Sequence, residues 1–157
     1  MPKRSAGILL YRKINNLFQF FLVHPGGPFF KNKDLGVWSI PKGEYLDDEE
    51  PLTAAKREFL EETSQAVDGN FIPLDPVILK SGKIVHAWAL EGNIDAATIT
   101  SNFFEMEWPP KSGRMQSFPE IDRGGWFDAD EARTKINEAQ VRLIEDFLIK
   151  TDQSTVK

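Results

Sequence analysis

The chain opens on an unbroken apolar run, Ala6-Gly7-Ile8-Leu9-Leu10-Tyr11, then breaks at Asn15-Asn16 and resumes as an aromatic stretch from Leu17 to Val23. Short apolar runs bounded by turn residues predict two strands joined as a hairpin. His24-Pro25-Gly26-Gly27-Pro28 stops the second strand, because proline has no ladder donor and glycine bends freely. Another short strand is expected at Val37-Trp38-Ser39-Ile40, closed by Pro41-Lys42-Gly43. From Asp48 to Gln65 the period becomes helical, with Leu52, Ala55, Phe59 and Thr63 on one face. Asp48 is the expected N-cap, Glu49 and Glu50 suit the positive end of the helix dipole, and Pro51 is tolerable in a first turn.

Beyond this helix the pattern predicts a second hairpin, Val77 to Lys80 and Ile84 to Leu90, around Ser81-Gly82. Phe103 to Trp108 reads as a further strand, and Trp126-Phe127 as the end of another. Asp128 then caps a short helix from Ala129 to Ile136. Glu138 to Lys150 is amphipathic, with Val141, Ile144, Phe147 and Leu148 on one side, and Thr151 to Lys157 is a polar tail. Strands, helix, strands and then helices predict an α/β chain with a mixed β-sheet between helices, and not a doubly wound parallel fold. The absence of repeats or low-complexity blocks makes residues 1–150 one expected domain, which a length of 157 allows.

Composition narrows the chemistry. With no cysteine, thiol catalysis, disulfides, iron–sulfur clusters and Cys-based zinc sites are excluded. His24 and His86 are too few for a histidine-rich metal centre, so any metal must be a hard cation on carboxylates. Nineteen Lys+Arg against 24 Asp+Glu leave 19 − 24 = −5, which argues against a general nucleic-acid binder. A small phosphate ligand stays open, because a divalent cation can bridge acidic protein to acidic substrate. No apolar run approaches the roughly 18 residues of a membrane span. Ala6 to Tyr11 is too short for a signal-peptide core, so a cytoplasmic location is the expectation.

The informative stretch runs from Gly43 to Ser64. Glu58, Glu61 and Glu62 have i, i+3, i+4 spacing, which puts three carboxylates on one helix face. Such a face is either a solvated acidic surface or a grip for Mg²⁺ or Mn²⁺, whose charge turns the mutual repulsion into attraction. Arg57 can pair with a carboxylate and hold it, and Glu49 is its candidate partner two turns earlier.

This stretch resembles the Nudix box: Gly43, Glu49, Arg57, Glu58, Glu61 and Glu62 all fall in that motif's register. The resemblance implies an α/β/α sandwich and hydrolysis of a diphosphate bond in a nucleoside diphosphate derivative. It implies a divalent ion, Mg²⁺ or Mn²⁺, on Glu58 and Glu62, with Glu61 sharing or acting through water and the Gly43 carbonyl as a further ligand. Arg57 and Glu49 are implied to orient these groups. Lys42 lies at the mouth, either as a phosphate contact or as a loop lysine in solvent. The family also places a base or extra carboxylate outside the box; Glu120 is the first candidate here, ahead of Glu105 and Glu107. Two positions depart from the motif. Ser64 stands for its final glycine and Gln65 for its closing aliphatic, so the helix is expected to run on, with Asp68-Gly69-Asn70 as its stop. Phe59 replaces a usual aliphatic, which alters packing and not chemistry.

Phe29 and Phe30, followed by Lys31 and Lys33, suit a nucleotide with a polyphosphate tail. Trp38 reads as core. The approach Trp38-Ser39-Ile40-Pro41-Lys42-Gly43 resembles that of dinucleoside polyphosphate hydrolases, with nucleoside triphosphate and ADP-ribose or other nucleotide-sugar cleavage as rivals. A non-catalytic nucleotide-binding module and an RNA 5′-end hydrolase are the readings from other classes. The expected partner is a small nucleotide, with no membrane.

Overall fold

The computed structural model describes residues 3–155. Its strands are β1 (Arg4–Ile14), β2 (Leu17–Pro25), β3 (Lys42–Glu44), β4 (Ile72–Pro73), β5 (Val77–Ile78), β6 (Ile84–Glu91), β7 (Phe103–Glu107), β8 (Met115–Pro119) and β9 (Ile121–Asp128). Its α-helices are α1 (Pro51–Thr63), α2 (Ala129–Lys135) and α3 (Val141–Thr155). Asn15 and Asn16 both take positive φ, 52° and 66°, which is what a two-residue hairpin turn between β1 and β2 demands. The main sheet runs β4-β6-β1-β2-β9, with β3 paired to β1 and β5 to β6, while β7 and β8 form a separate two-stranded ribbon.

β1 lies parallel to β6 from Arg4↔Ile84 to Tyr11↔Glu91, in the middle of the sheet. Its unbroken apolar sequence is explained by burial on both faces. Ala6, Ile8 and Leu10 pack with Ala54, Ala55 and Phe59 of α1, as do Phe21 and Val23 of β2. Leu9, Phe20 and Leu22 point the other way, into Ala132 of α2 and Leu143, Ile144 and Phe147 of α3. The result is the mixed sheet between helices that the element order predicts.

β1 changes its antiparallel partner along its length. Residues Tyr11 to Ile14 pair with β2, whereas Ser5 to Gly7 pair with β3. β2 leaves β1 and pairs on its other side with β9, from Gln19↔Asp128 to His24↔Arg123. The segment Ser39–Pro41 fills the opening: Ser39 exchanges backbone bonds with Val23 at 2.9 and 3.0 Å, and the Pro41 carbonyl accepts from Ile8 N–H at 3.2 Å. This wedge delivers β3 to the N-terminal half of β1, beside α1.

Several elements differ from the sequence expectation. Val37 to Ile40 makes isolated bridges and no strand, and the Ile40 N–H is taken by the Gln140 side chain at 3.1 Å instead of by a strand partner. α1 is capped by Glu50, not Asp48; the Glu50 carboxylate accepts from Leu52 and Thr53 N–H at 3.1 and 3.0 Å. Nor does α1 run past Ser64. That residue itself adopts the left-handed conformation, φ 63°, and its N–H closes on Leu60 O at 2.7 Å. Its hydroxyl donates to Thr100 O at 2.7 Å, so a tertiary contact stabilises a conformation that normally favours glycine. The Glu138–Gln140 turn is 3₁₀ and only then becomes α3, whose backbone continues through Thr155, past the start of the expected polar tail; residues 156–157 lie outside the described range.

Phe147 is fully buried and meets the rings of Tyr11, Phe18 and Phe20 at centroid distances of 4.4, 5.1 and 5.6 Å. Phe147→Ala should cost about 3–5 kcal/mol, read as a lower denaturation midpoint with an unchanged slope.

Candidate active site

α1 presents Glu58, Glu61 and Glu62 beside β3. Gly43 sits so close that a Cβ there would fall 2.0 Å from the Glu58 carboxyl carbon and would push the carboxylate from its present place. Glu62 Oε1 accepts from the Lys42 backbone N–H at 3.3 Å. Arg57 is gripped at its Nε and Nη2 by Glu49, at 2.8 and 2.9 Å, which leaves Nη1 to reach Glu58 at 2.7 Å and Glu61 at 3.1 Å. A bidentate clamp of this kind fixes the plane of the guanidinium and with it the two acceptors. The hydrogen bonding to Glu49 leads in pushing the Arg57 guanidinium above its ordinary range.

The electrostatics are strained. Burial, then the Glu58 charge, pushes the Glu62 carboxyl up to about 8, against the pull of Lys42. Burial also raises Glu58, with Arg57 opposing and Glu61 and Glu120 adding to it. Glu120 is raised by burial and by Glu61. The Lys42 ammonium is pushed down by burial and by Lys83. Lys42 and Glu62 share the wall of a cavity of about 160 Å³ with Ser39, Ile40 and Ile121.

Among the described residues, no three acidic or histidine side chains converge as a ready-made metal centre; Glu58 and Glu61 each give an oxygen to Arg57 instead. The donor chemistry nevertheless fits a hard divalent cation. The ligands are carboxylate oxygens in a partly dry cluster, and their mutual repulsion is what such an ion removes.

Glu120 lies between β8 and β9, and its charge bears on Glu58, Glu61 and Glu62. A strap that sequence reading missed brings it there. Asn102 N–H donates to Glu61 O at 3.2 Å, and Glu120 N–H donates to Asn102 O at 2.8 Å. Ser101 adds a side-chain bond from Ile121 N–H at 2.9 Å. No local pattern marks Ser101 or Asn102; their role comes from where the chain crosses. Glu105 and Glu107 lie exposed on β7, and Glu107 accepts from Gly113 N–H at 2.7 Å. Phe29 and Phe30 belong to another neighbourhood. Phe29 is 56% exposed and meets Trp108 edge-on at 5.3 Å, and Lys33 lies over Phe30 at 5.7 Å.

The family model of the NUDIX domain matches residues 1–147. No curated protein matches the chain in sequence. Among solved structures, Ap4A hydrolase of C. elegans in a binary complex is 20% identical, with 96% of this chain and 98% of that chain covered and a TM-score of 0.65. The NUDIX domain of Shewanella oneidensis NrtR complexed with ADP ribose is 15% identical over 96% and 89%, TM-score 0.63. The C-terminal domain of mouse MUTYH, in complex with human PCNA, is 14% identical over 100% and 92%, TM-score 0.58. At these identities the structures share the fold. The chain belongs to the Nudix family of pyrophosphohydrolases, which hydrolyse diphosphate bonds in nucleotides. No helix among the described residues is long and apolar enough to cross a membrane.

In metal-free protein Glu62 holds its proton up to about pH 8 when folded, against an ordinary value of 4.5. An acid raised on folding favours the folded state at low pH, so stability should fall as pH rises between these values, by at most about 1.4 kcal/mol per unit. Glu62→Gln should flatten that slope, measured as the denaturation midpoint at pH 5 and pH 8 in chelator.

Proposed function

We propose that the chain is a divalent-metal-dependent hydrolase of dinucleoside polyphosphates or nucleoside triphosphates. The observation that carries this is Glu62: a half-buried carboxylate with no ion pair among the described residues, repelled by Glu58 and Glu120 and only partly offset by Lys42. Glu58, Glu61 and Glu62, with the Gly43 carbonyl, would hold Mg²⁺ or Mn²⁺. When bound, such an ion neutralises phosphate charge and makes a coordinated water more acidic. Arg57, fixed by Glu49, keeps Glu58 and Glu61 in place. Glu120 faces the same cluster from the opposite loop and takes the proton from the attacking water; its raised proton affinity suits a general base. Lys42 contributes positive charge on the phosphate side, and Phe29 and Phe30 offer exposed rings for a base.

Incubation with diadenosine tetraphosphate, nucleoside triphosphates and ADP-ribose plus Mg²⁺, with product identification, tests this reading. Turnover of either of the first two supports it. Turnover of ADP-ribose alone transfers the assignment to a nucleotide-sugar pyrophosphatase, and no turnover at any metal concentration makes the chain a binding module.

Glu62→Gln keeps the volume and removes one charged ligand, so kcat should fall about 100-fold or more with the fold intact by circular dichroism. Glu120→Gln should lower kcat by about 100-fold while leaving metal affinity near wild type, checked by Mg²⁺ titration of the rate.

A further inference from the structure

The end of β2 does more than terminate a strand. His24 is fully buried, with Nδ1 2.8 Å from Asp122 Oδ1 and Nε2 2.7 Å from the Lys33 carbonyl. The two contacts occupy both ring nitrogens, one against a carboxylate and one against a backbone carbonyl. Trp38 packs edge-on to the ring at 5.1 Å and is itself tied to Asp34 through Nε1 at 2.8 Å, so the imidazole has no room to turn away. Asp122 is held in turn by Arg123, at 3.5 Å from Nη1, and Arg123 lies over Trp38 at 5.3 Å.

Two residues on, Gly26 N–H donates to the Glu120 carbonyl at 2.8 Å. A Cβ at Gly26 would lie 1.9 Å from Pro119 O, so the backbones touch where any side chain would separate them. The β2–β9 register shifts between His24 and Pro25, as a bulge does when it re-aims a chain. The His24-Pro25-Gly26 segment thus grips the residues around Glu120 at two points, one on each side of Ile121.

We propose that His24 and Asp122 are positioning residues, a clamp that aims Glu120 at the α1 carboxylates and, through the Lys33 carbonyl, ties the Phe29–Phe30 loop to the same point. Its catalytic consequence rests on the reading of Glu120 as the base; the clamp itself does not. The Glu120 backbone is fixed from two sides, by Asn102 on the α1 strap and by Gly26 just past the end of β2. Losing Asp122 removes the partner of Nδ1 and frees the chain two residues from Glu120.

Asp122→Ala should lower kcat about tenfold or more with KM within about twofold, because a small misplacement of a reacting group costs rate before it costs binding. Asp122→Asn should restore most of that loss, since an amide can meet the ring nitrogen as donor or acceptor. In a Glu120→Gln background, Asp122→Ala should cost nothing further, whereas equal losses in both backgrounds would overturn the coupling. Amide hydrogen exchange reads the clamp without activity: in Asp122→Ala the Gly26 and Glu120 amides should exchange about tenfold faster or more while those of α3 are unchanged. Wild-type exchange at both amides would overturn the proposal. A wild-type kcat in Glu120→Gln would remove Glu120 as the base and leave the exchange result standing as the judgement on the clamp.

Discussion

Like charges crowded into a partly dry pocket are the constraint around which this chain is organised. Glu58 and Glu62 sit beside β3, and their carboxylates are desolvated and repel one another. An exposed helix would let such side chains splay into water. Here the Glu58 carboxylate lies against Gly43, where a Cβ would displace it, and the Lys42 N–H holds Glu62. Arg57 offsets part of the repulsion, yet its fork is already committed to Glu49 on one edge, so a single nitrogen serves Glu58 and Glu61 together. Arg57 and the neighbouring Lys42 offset the carboxylates only in part, and the Glu62 carboxyl stays raised, the feature on which the proposed metal site rests.

The sheet supplies this geometry through the partner change along β1. Because β2 leaves for β9 and β3 takes over near the N-terminal end, the Ser39–Pro41 segment can enter between them and set Gly43 against α1. The residues that close the opposite side come from far along the chain. Ser64 ends α1 by bonding to Thr100, and the strap that begins there passes through Asn102 to Glu120. The substitution of serine for the motif's glycine therefore couples the helix end to the loop that faces the carboxylates, where glycine would cap without making that bond.

The family sets the reaction class. The exposed Phe29 ring meets Trp108 beside the separate β7–β8 ribbon, outside the α1 carboxylate cluster. Lys31 and Lys33 lie in the same loop. An Ap4A hydrolase and a domain complexed with ADP ribose share this fold.

Local signals in the chain were sufficient for the hairpin, for α1, for the cap at Asp128 and for the register of Gly43, Glu49, Arg57, Glu58, Glu61 and Glu62. Each of these depends on neighbours a few residues apart, through turn chemistry or helical period. The end of α1 at Ser64 against Thr100, the loss of a strand at Val37–Ile40 and the nearness of Glu120 to the box were decided only in three dimensions. The N-cap is local: the Glu50 carboxylate reaches the Leu52 and Thr53 N–H groups two and three residues on, two residues later than Asp48. Gln140 replaced a strand partner from a hundred residues away, and Glu120 met α1 through backbone bonds to Asn102 and Gly26. Backbone hydrogen bonds between distant segments leave no trace in residue type, since any residue but proline can make them.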